Sequence, residues 1–158
     1  MNRSIRTILA AAAACLTADA APASPPARAT VLTGTAARDV LHQCSRSTPE
    51  AGTSFFAPAP VEIDRLDRAV SSSRVRRLPP GAGTLRTLKT TYAVEVVGIV
   101  RSGQRFVYGN YYPLSMQDGV KSAPGTATAV CDGGPRFFGA EIDAVSGHIT
   151  HMDFNGPG

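Results

Sequence analysis

The chain has no tryptophan, only three cysteines among its 158 residues, and few aromatic residues of any kind, at 6%. Its longest N-terminal apolar stretch covers residues 7–16, about half of the roughly 20 residues that a membrane-spanning helix needs. The formal net charge of +4 is mild, whereas nucleic-acid-binding domains carry a concentrated basic patch. These shortages argue against a transmembrane protein and predict no nucleic-acid partner.

The first residues have the order of a secretory signal. Arg3 and Arg6 precede the short apolar stretch, and small residues follow it at positions 18, 20, 21 and 23. This order predicts a signal peptide over residues 1–23, with cleavage after Ala20 or Ala23. We therefore expect a periplasmic or secreted protein.

Cys15 provides an alternative to simple cleavage. Residues 12–15 read Ala-Ala-Ala-Cys, similar to a lipoprotein signal, although Ala12 stands where a large aliphatic residue is usual. In that alternative the protein is a structural envelope protein anchored by lipid at Cys15. Contact with a membrane is expected only in this case.

Removal of the signal peptide leaves two cysteines, Cys44 and Cys131. An even number in an oxidising compartment predicts a structural disulfide. A bond between them closes a loop over residues 44–131, which is worth roughly 4–5 kcal/mol in the chain-entropy model. A catalytic cysteine would have to stay reduced, so an oxidising compartment argues against one.

The mature part is organised as a leader over residues 24–33, rich in Pro, Ala, Ser and Thr, and a single α+β domain over residues 34–158. Apolar spacing predicts one helix over 35–46, with Cys44 on its buried side, and a second over 60–71. A loop follows at 71–83.

From Tyr92 onward the apolar period changes to that of strands. A pair of strands is predicted around the turn Ser102-Gly103, a third strand at 127–131, and a last hairpin from 137–143 and 149–154. The predicted fold is two N-terminal helices packed on a four- to five-stranded antiparallel sheet. The predicted core contains Val40, Leu41, Ile63, Leu66, Phe106, Phe138, Ile142, Met152 and Phe154.

The last hairpin contains a candidate acid–base pair. With Asp143 opposite Ile149, Phe138 faces Phe154 and Glu141 faces His151 on the opposite side of the sheet. Glu141 and His151, with Asp153 nearby, have the groups for proton transfer. A cross-strand ion pair on a solvated face is the competing interpretation.

No metal or cofactor is expected. His148 and His151 are three residues apart, so in a strand they point to opposite faces and do not converge on one ion. The segment Cys131-Asp132-Gly133-Gly134 has no lysine after its glycines and does not fit a phosphate loop.

Two groups of residues are candidates for contact with another protein, because Tyr and Arg are favoured at interfaces. The first is the basic loop with Arg74, Arg76 and Arg77, for which plain solvation is the alternative. The second is the tyrosine-rich stretch, with Tyr108, Tyr111 and Tyr112.

The stretch from Phe137 through Asp143-Ala144-Val145-Ser146-Gly147 to Phe154-Asn155-Gly156 resembles the closing hairpin of PepSY-type and cystatin-like periplasmic domains. The whole arrangement, cystatin-like in outline, also resembles small exported proteobacterial proteins of unknown function. The resemblance implies a noncatalytic binding or inhibitory module whose partner is another envelope protein. The alternative is a small-ligand-binding protein or enzyme with a cavity between helices and sheet, lined by Tyr92, Tyr108 or Asn110.

Overall fold

A six-stranded mixed sheet forms the centre of this α+β protein. The computed structural model describes residues 28–74, 78–120 and 126–156. The predicted signal peptide, including Cys15, lies outside these residues, as do Arg76 and Arg77. The strands are β1 Ala29–Val31, β2 Ser54–Phe56, β3 Tyr92–Arg101, β4 Gln104–Pro113, β5 Phe138–Asp143 and β6 Ile149–Phe154, and the helices are α1 Gly34–Asp39, α2 Pro60–Ser72, α3 Leu85–Thr91 and α4 Gln117–Val120.

The strand order is β1-β3-β4-β5-β6, and β2 also pairs with β3. The hairpins β3–β4 and β5–β6 are antiparallel, as predicted. Ser102 and Gly103 both have positive φ, which a two-residue turn between twisted strands requires. The expectation of a purely antiparallel sheet is wrong, because β1 runs parallel to β3 with Val31 opposite Val96.

Both faces of the sheet are covered. We call the side of Val94 and Val96 the first face and the side of Glu95 and Val97 the second face. All four residues are buried, which is the pattern of a strand enclosed on both sides. Helices α2 and α3 cover the first face. Helix α1 and two irregular segments, residues 40–50 and 126–131, cover the second face; we call these two segments the cover segments.

Helix α2 forms where the sequence predicts it. Pro60 occupies the first turn, and the Glu62 carboxylate accepts a hydrogen bond from the Ala59 N–H at 2.7 Å. Ile63, Leu66 and Val70 recur on one side and are fully buried. These three side chains pack on the sheet and form the centre of the first-face core.

The predicted first helix and third strand are only partly correct. Helix α1 ends at Asp39, so Cys44 lies beyond it in a cover segment and is exposed. Residues 127–131 form no strand. The disulfide therefore joins two irregular segments and not a helix to a strand, because neither segment continues the periodicity of the element assigned to it.

Other elements are additions to the prediction. Residues 29–31, assigned by composition to a flexible leader, form β1, and residues 54–56 form β2. Thr84 caps helix α3, accepting the Thr87 N–H at 3.1 Å. These elements are three to seven residues long, too short to show a clear period.

The predicted core residues are buried or half-buried but belong to two cores. Val40, Leu41 and Phe106 lie on the second face with α1. The others lie on the first face: Ile63, Leu66, Phe138, Ile142, Met152 and Phe154. Within the described ranges, no helix is long and apolar enough to cross a membrane.

Candidate functional site

The second face carries a connected set of buried polar side chains beneath the cover segments. Glu95, Asn110 and Arg46 are each 9% exposed or less. They face one another because Glu95 and Asn110 are paired residues of β3 and β4, and Arg46 enters from the first cover segment. We call this set, with Thr128 and Asn155, the buried polar network.

Arg46 is the buried cation of this network. Its guanidinium donates to the side-chain oxygens of Asn110, at 2.5 Å, and of Asn155. It also donates to the Tyr108 hydroxyl at 3.4 Å. Amide and hydroxyl oxygens thus replace water at both terminal nitrogens of Arg46, while its buried Nε has no hydrogen-bond partner among the described residues. The effect is to hold the first cover segment on the sheet.

Glu95 binds the second cover segment. Its carboxylate accepts the Thr128 N–H at 2.9 Å, the Thr128 hydroxyl at 2.7 Å and the Asn110 amide at 3.0 Å. Asn110 also donates to the Thr128 carbonyl at 2.9 Å. One carboxylate therefore satisfies both the backbone and the side chain of a residue that has no strand or helix partner.

The predicted pairing of Glu141 with His151 is present in the sheet. Beyond this pair, the predicted register is wrong by one position. An irregularity between Glu141 and Ile142 places Ile142, and not Asp143, opposite Ile149. An extra residue on one strand is the usual effect of a β-bulge. The bulge lies immediately beside the proposed acid–base pair.

The expectation of a solvated face around Glu141 is also wrong. Glu141 is 1% exposed, and its Oε1 accepts from Arg101 at 2.5 Å and from the Thr150 hydroxyl at 2.7 Å. Its Oε2 is buried with no hydrogen-bond partner among the described residues. The sequence identified the correct face but not the cover segment that encloses it.

His151 and Asp153 fasten Ser47 to the sheet. His151 Nε2 lies 3.1 Å from the Ser47 carbonyl oxygen. Asp153 accepts the Ser47 N–H at 2.8 Å and the Ser47 hydroxyl at 2.7 Å. Burial raises the pKa of Asp153, but the hydrogen bonds from Ser47 and Phe154 and the nearby His151 outweigh it, so the net pKa lies below its ordinary value. The three candidate acid–base residues are thus engaged by their surroundings.

The tyrosines proposed as an exposed contact surface are interior residues. Tyr108, Tyr111 and Tyr112 are at most 1% exposed, because both faces of β4 are covered. Burial raises the pKa of Tyr108 and Tyr111, and burial together with Glu95 raises the pKa of Tyr112 to about 12. Gly139 is required beside Tyr108, because a Cβ there would lie 2.2 Å from the tyrosine hydroxyl.

The first face contains a smaller polar group that sequence reasoning missed. Asp67 of α2 is fully buried, forms an ion pair with Arg28 and accepts the Tyr111 hydroxyl at 3.1 Å. Arg28 also donates to the Tyr92 carbonyl at 3.2 Å. This group anchors the start of β1. A signal was available, because Asp67 is four residues after Ile63 and three before Val70, on the buried side of α2.

Two described cavities lie at the edge of the sheet near α1. One, of 350 Å³, is bordered by Gly34, Thr35, Arg38 and Asp39, and a smaller one, of 120 Å³, is bordered by residues 32–34 and 55–57. Neither is lined by Tyr92, Tyr108, Asn110 or Glu141, the residues that an interior site was expected to use.

The loop between β5 and β6, residues 144–148, forms an exposed tip that we call the hairpin tip. Val145 is 85% exposed. The Asp143 carboxylate accepts the Val145 and Ser146 N–H groups at 2.9 and 2.7 Å. Gly147, with φ of +74°, lies against the Arg65 side chain, and Arg65 donates to the Ala144 carbonyl. An apolar side chain is therefore displayed on a backbone that is already fixed.

The disulfide joins the two cover segments that enclose the buried polar network. Cys44 and Cys131 are joined, with their Cα atoms 5.4 Å apart, and both residues are exposed. A structural disulfide is typical of an oxidising, extracytoplasmic location.

Of the three arginines in the predicted basic loop, Arg74 is among the described residues, and it is exposed just beyond α2.

Comparison of the sequence and fold with family models, curated proteins and solved structures gave no match.

Proposed function

We propose that this protein is an exported, noncatalytic binding or inhibitory module that acts on another protein of the cell envelope. The observation that carries the proposal is the contrast between its polar interior and its exposed tip. Glu95 and Arg46 hold the cover segments in place, and Glu141 pairs with Arg101, which donates to the Glu50 carbonyl of the first cover segment. The hairpin tip presents Val145 to solvent.

The contact surface we propose consists of the hairpin tip and Val61. Val61 is 64% exposed and precedes Arg65 by one turn of α2. Arg65 contacts the hairpin tip that carries Val145 and is one turn from Val61, so this arginine connects the two exposed valines. Preorganised apolar side chains lose little conformational entropy on binding, which favours their use in recognition. Proximity of two such residues supports a protein partner, since isolated exposed apolar residues are common on any surface.

Photo-crosslinking in the native envelope tests this function. The photoreactive amino acid p-benzoylphenylalanine replaces Val145 or, separately, Val61, and replaces Ala129 as the matched control. Ala129 is exposed on the opposite side of the sheet, in a cover segment. We expect one discrete protein adduct of the same mass from positions 145 and 61 and none from position 129.

Adducts of equal yield from all three positions, or no adduct from position 145, would contradict the proposed surface. A second measurement identifies inhibition. The crosslinked partner is purified and its activity is compared with wild-type protein and with the Val145→Asp variant. Loss of partner activity with wild type alone assigns an inhibitor, and unchanged activity with both assigns a binding module only.

A further inference from the structure

Positive charge is concentrated in the stretch of sequence that contains α2 and α3, and we call these two helices the helical layer. Residues 60–91 contain seven Lys and Arg against three Asp and Glu, and so account for the whole formal net charge of +4. Two of these arginines, Arg76 and Arg77, lie outside the described residues, and the described residues of this stretch contain five Lys and Arg against three Asp and Glu. The remainder of the chain is balanced in formal charge. An asymmetry of this kind produces a positive potential over one side of a protein.

The acidic residues of this layer do not cancel the charge at its outer surface. Asp67 is buried and paired with Arg28 of the neighbouring strand segment. Glu62 accepts from Arg105 of β4 at 3.1 Å. Asp64 is shared by Arg68 and Lys89, so two cations meet one carboxylate. The Lys89 hydrogen bond is the main influence on Asp64 and keeps its pKa below the ordinary value, so this carboxylate is ionised and still outnumbered.

Four cations point outward from this layer. The Arg68 side chain is 65% exposed and that of Lys89 is 35% exposed. Arg86 is exposed three residues before Lys89, on the same side of α3. Arg74 is exposed just after the end of α2. We call Arg68, Arg74, Arg86 and Lys89 the basic helical face.

The basic helical face lacks the features of a protein-binding hot spot. Such sites are organised around buried aromatic or large apolar anchors. Among the described residues, the large exposed apolar side chains are Val61, Met116 and Val145. Only Val61 adjoins this face, seven residues before Arg68 on the same side of α2, and a single valine is not an aromatic or large apolar anchor. Dispersed cations without an apolar centre suit a surface of many repeated anions, with which each cation interacts separately.

We propose that the basic helical face holds the protein peripherally against the anionic phosphate headgroups of a membrane. Arginine guanidinium groups bind phosphate oxygens in a bidentate manner, and three of the four cations are arginines. This contact needs neither a spanning helix nor a lipid on Cys15. The hairpin tip belongs to the loop between β5 and β6 and is not part of this face.

Vesicle sedimentation tests the proposal. The exported form of the full-length gene product is purified oxidised, and its intact mass excludes a lipid at Cys15. It is titrated with phosphatidylcholine vesicles containing 30% phosphatidylglycerol and with pure phosphatidylcholine vesicles. The test variant is Arg68→Gln/Arg86→Gln. The control is Arg38→Gln/Arg136→Gln, which removes two other exposed arginines that lie outside α2 and α3.

We expect binding to the anionic vesicles only, weakening as salt is raised. Each cation near a charged membrane contributes about fivefold in affinity, so the test variant should bind roughly 30-fold more weakly while the control remains close to wild type. Circular dichroism of each variant verifies folding.

Equal weakening of both double variants would overturn the proposal, since it would show a response to net charge alone. Absence of binding to anionic vesicles at low salt would also overturn it. Soluble polyglutamate, titrated in parallel, represents an acidic protein. Binding of polyglutamate that depends on Arg68 and Arg86, without vesicle binding, would assign this face to an acidic protein partner instead. None of these outcomes depends on the crosslinks at Val145.

Discussion

The two faces of the sheet are covered by different kinds of structure. On the first face, α2 and α3 satisfy their own backbone hydrogen bonds and bury mainly apolar side chains. On the second face, the cover segments lack such a ladder. Their second segment donates to Glu95 and accepts from Asn110 and Asn155 instead. Buried backbone groups must be paired. An irregular segment therefore needs polar side chains beneath it, whereas a helix can pack on apolar side chains alone.

The same comparison explains why the disulfide is found on the second face. A segment held by a few side-chain hydrogen bonds gains about 0.5–1.5 kcal/mol from each neutral bond. A covalent link between the two cover segments constrains the unfolded chain and adds to this modest total. The first face has no equivalent link among the described residues, and its packing rests on fully buried residues such as Ile63, Leu66 and Leu88.

Removing the disulfide should have the largest effect on stability. The bond closes a separation of 87 residues, so Cys44→Ser/Cys131→Ser should lower the free energy of unfolding by roughly 4–5 kcal/mol. Urea unfolding followed by circular dichroism measures this. Wild-type protein in dithiothreitol serves as the control and should behave like the variant. A loss below about 1 kcal/mol would show that the second face is held without its covalent link.

Replacing Glu95 by leucine should release the second cover segment selectively. The variant leaves the Thr128 N–H, the Thr128 hydroxyl and one Asn110 N–H buried without an acceptor, which costs roughly 3 kcal/mol or more. Hydrogen exchange of residues 126–131 should accelerate while amides of α2 remain protected. Asp67→Asn is the matched control and should accelerate exchange in β1 only. An equal increase on both faces in either variant would contradict their independence.

Glu141 and His151 should differ in their effect on stability, although they are paired in the sheet. Glu141→Gln retains the Thr150 contact but loses the ion pair with Arg101 in a buried setting, at a cost of roughly 1–2 kcal/mol. His151→Ala removes one contact with the Ser47 carbonyl and should cost less than about 1 kcal/mol. Thermal unfolding measures both. Equal losses would mean that the two side chains share one environment.

The regular elements of the fold were predictable from the sequence. Helix α2 and the two hairpins have clear apolar periods and distinct end signals, such as Pro60 and Ser102-Gly103. The cover segments were misassigned because Cys44 and residues 127–131 happen to match helix and strand patterns over short lengths. Which irregular segment lies on which face depends on contacts far apart in sequence, such as Glu95 with Thr128.

The pairing of Glu141 with His151 was predictable in position and not in environment, and the buried polar network was not predicted. Alternation placed Glu141 and His151 on the correct face, but it was read as the face toward water. A signal was available in β3, where Val94 and Val96 on one side are matched by Val97 and Ile99 on the other. Apolar residues on both sides of one strand indicate two covered faces. The same signal would have identified the neighbouring tyrosines as interior residues.

The smallest expected effect concerns the pH dependence of the first cover segment. The pKa of Asp153 is lowered in the folded protein, so its contribution to stability is present above its unfolded pKa of about 3.9 and is lost as pH falls through the lower folded pKa. Asp153→Asn should therefore be less stable than wild type at pH 7. This difference should begin to shrink as the pH falls to about 3.9 and should vanish once the pH is below the folded pKa, where the wild-type carboxyl is protonated. Urea unfolding of both proteins between pH 7 and pH 2 measures the difference. Ser47→Ala removes only the hydroxyl bond and should reproduce part of the loss at pH 7. A difference that stays constant down to pH 2 would show that Asp153 holds the cover segment without its charge.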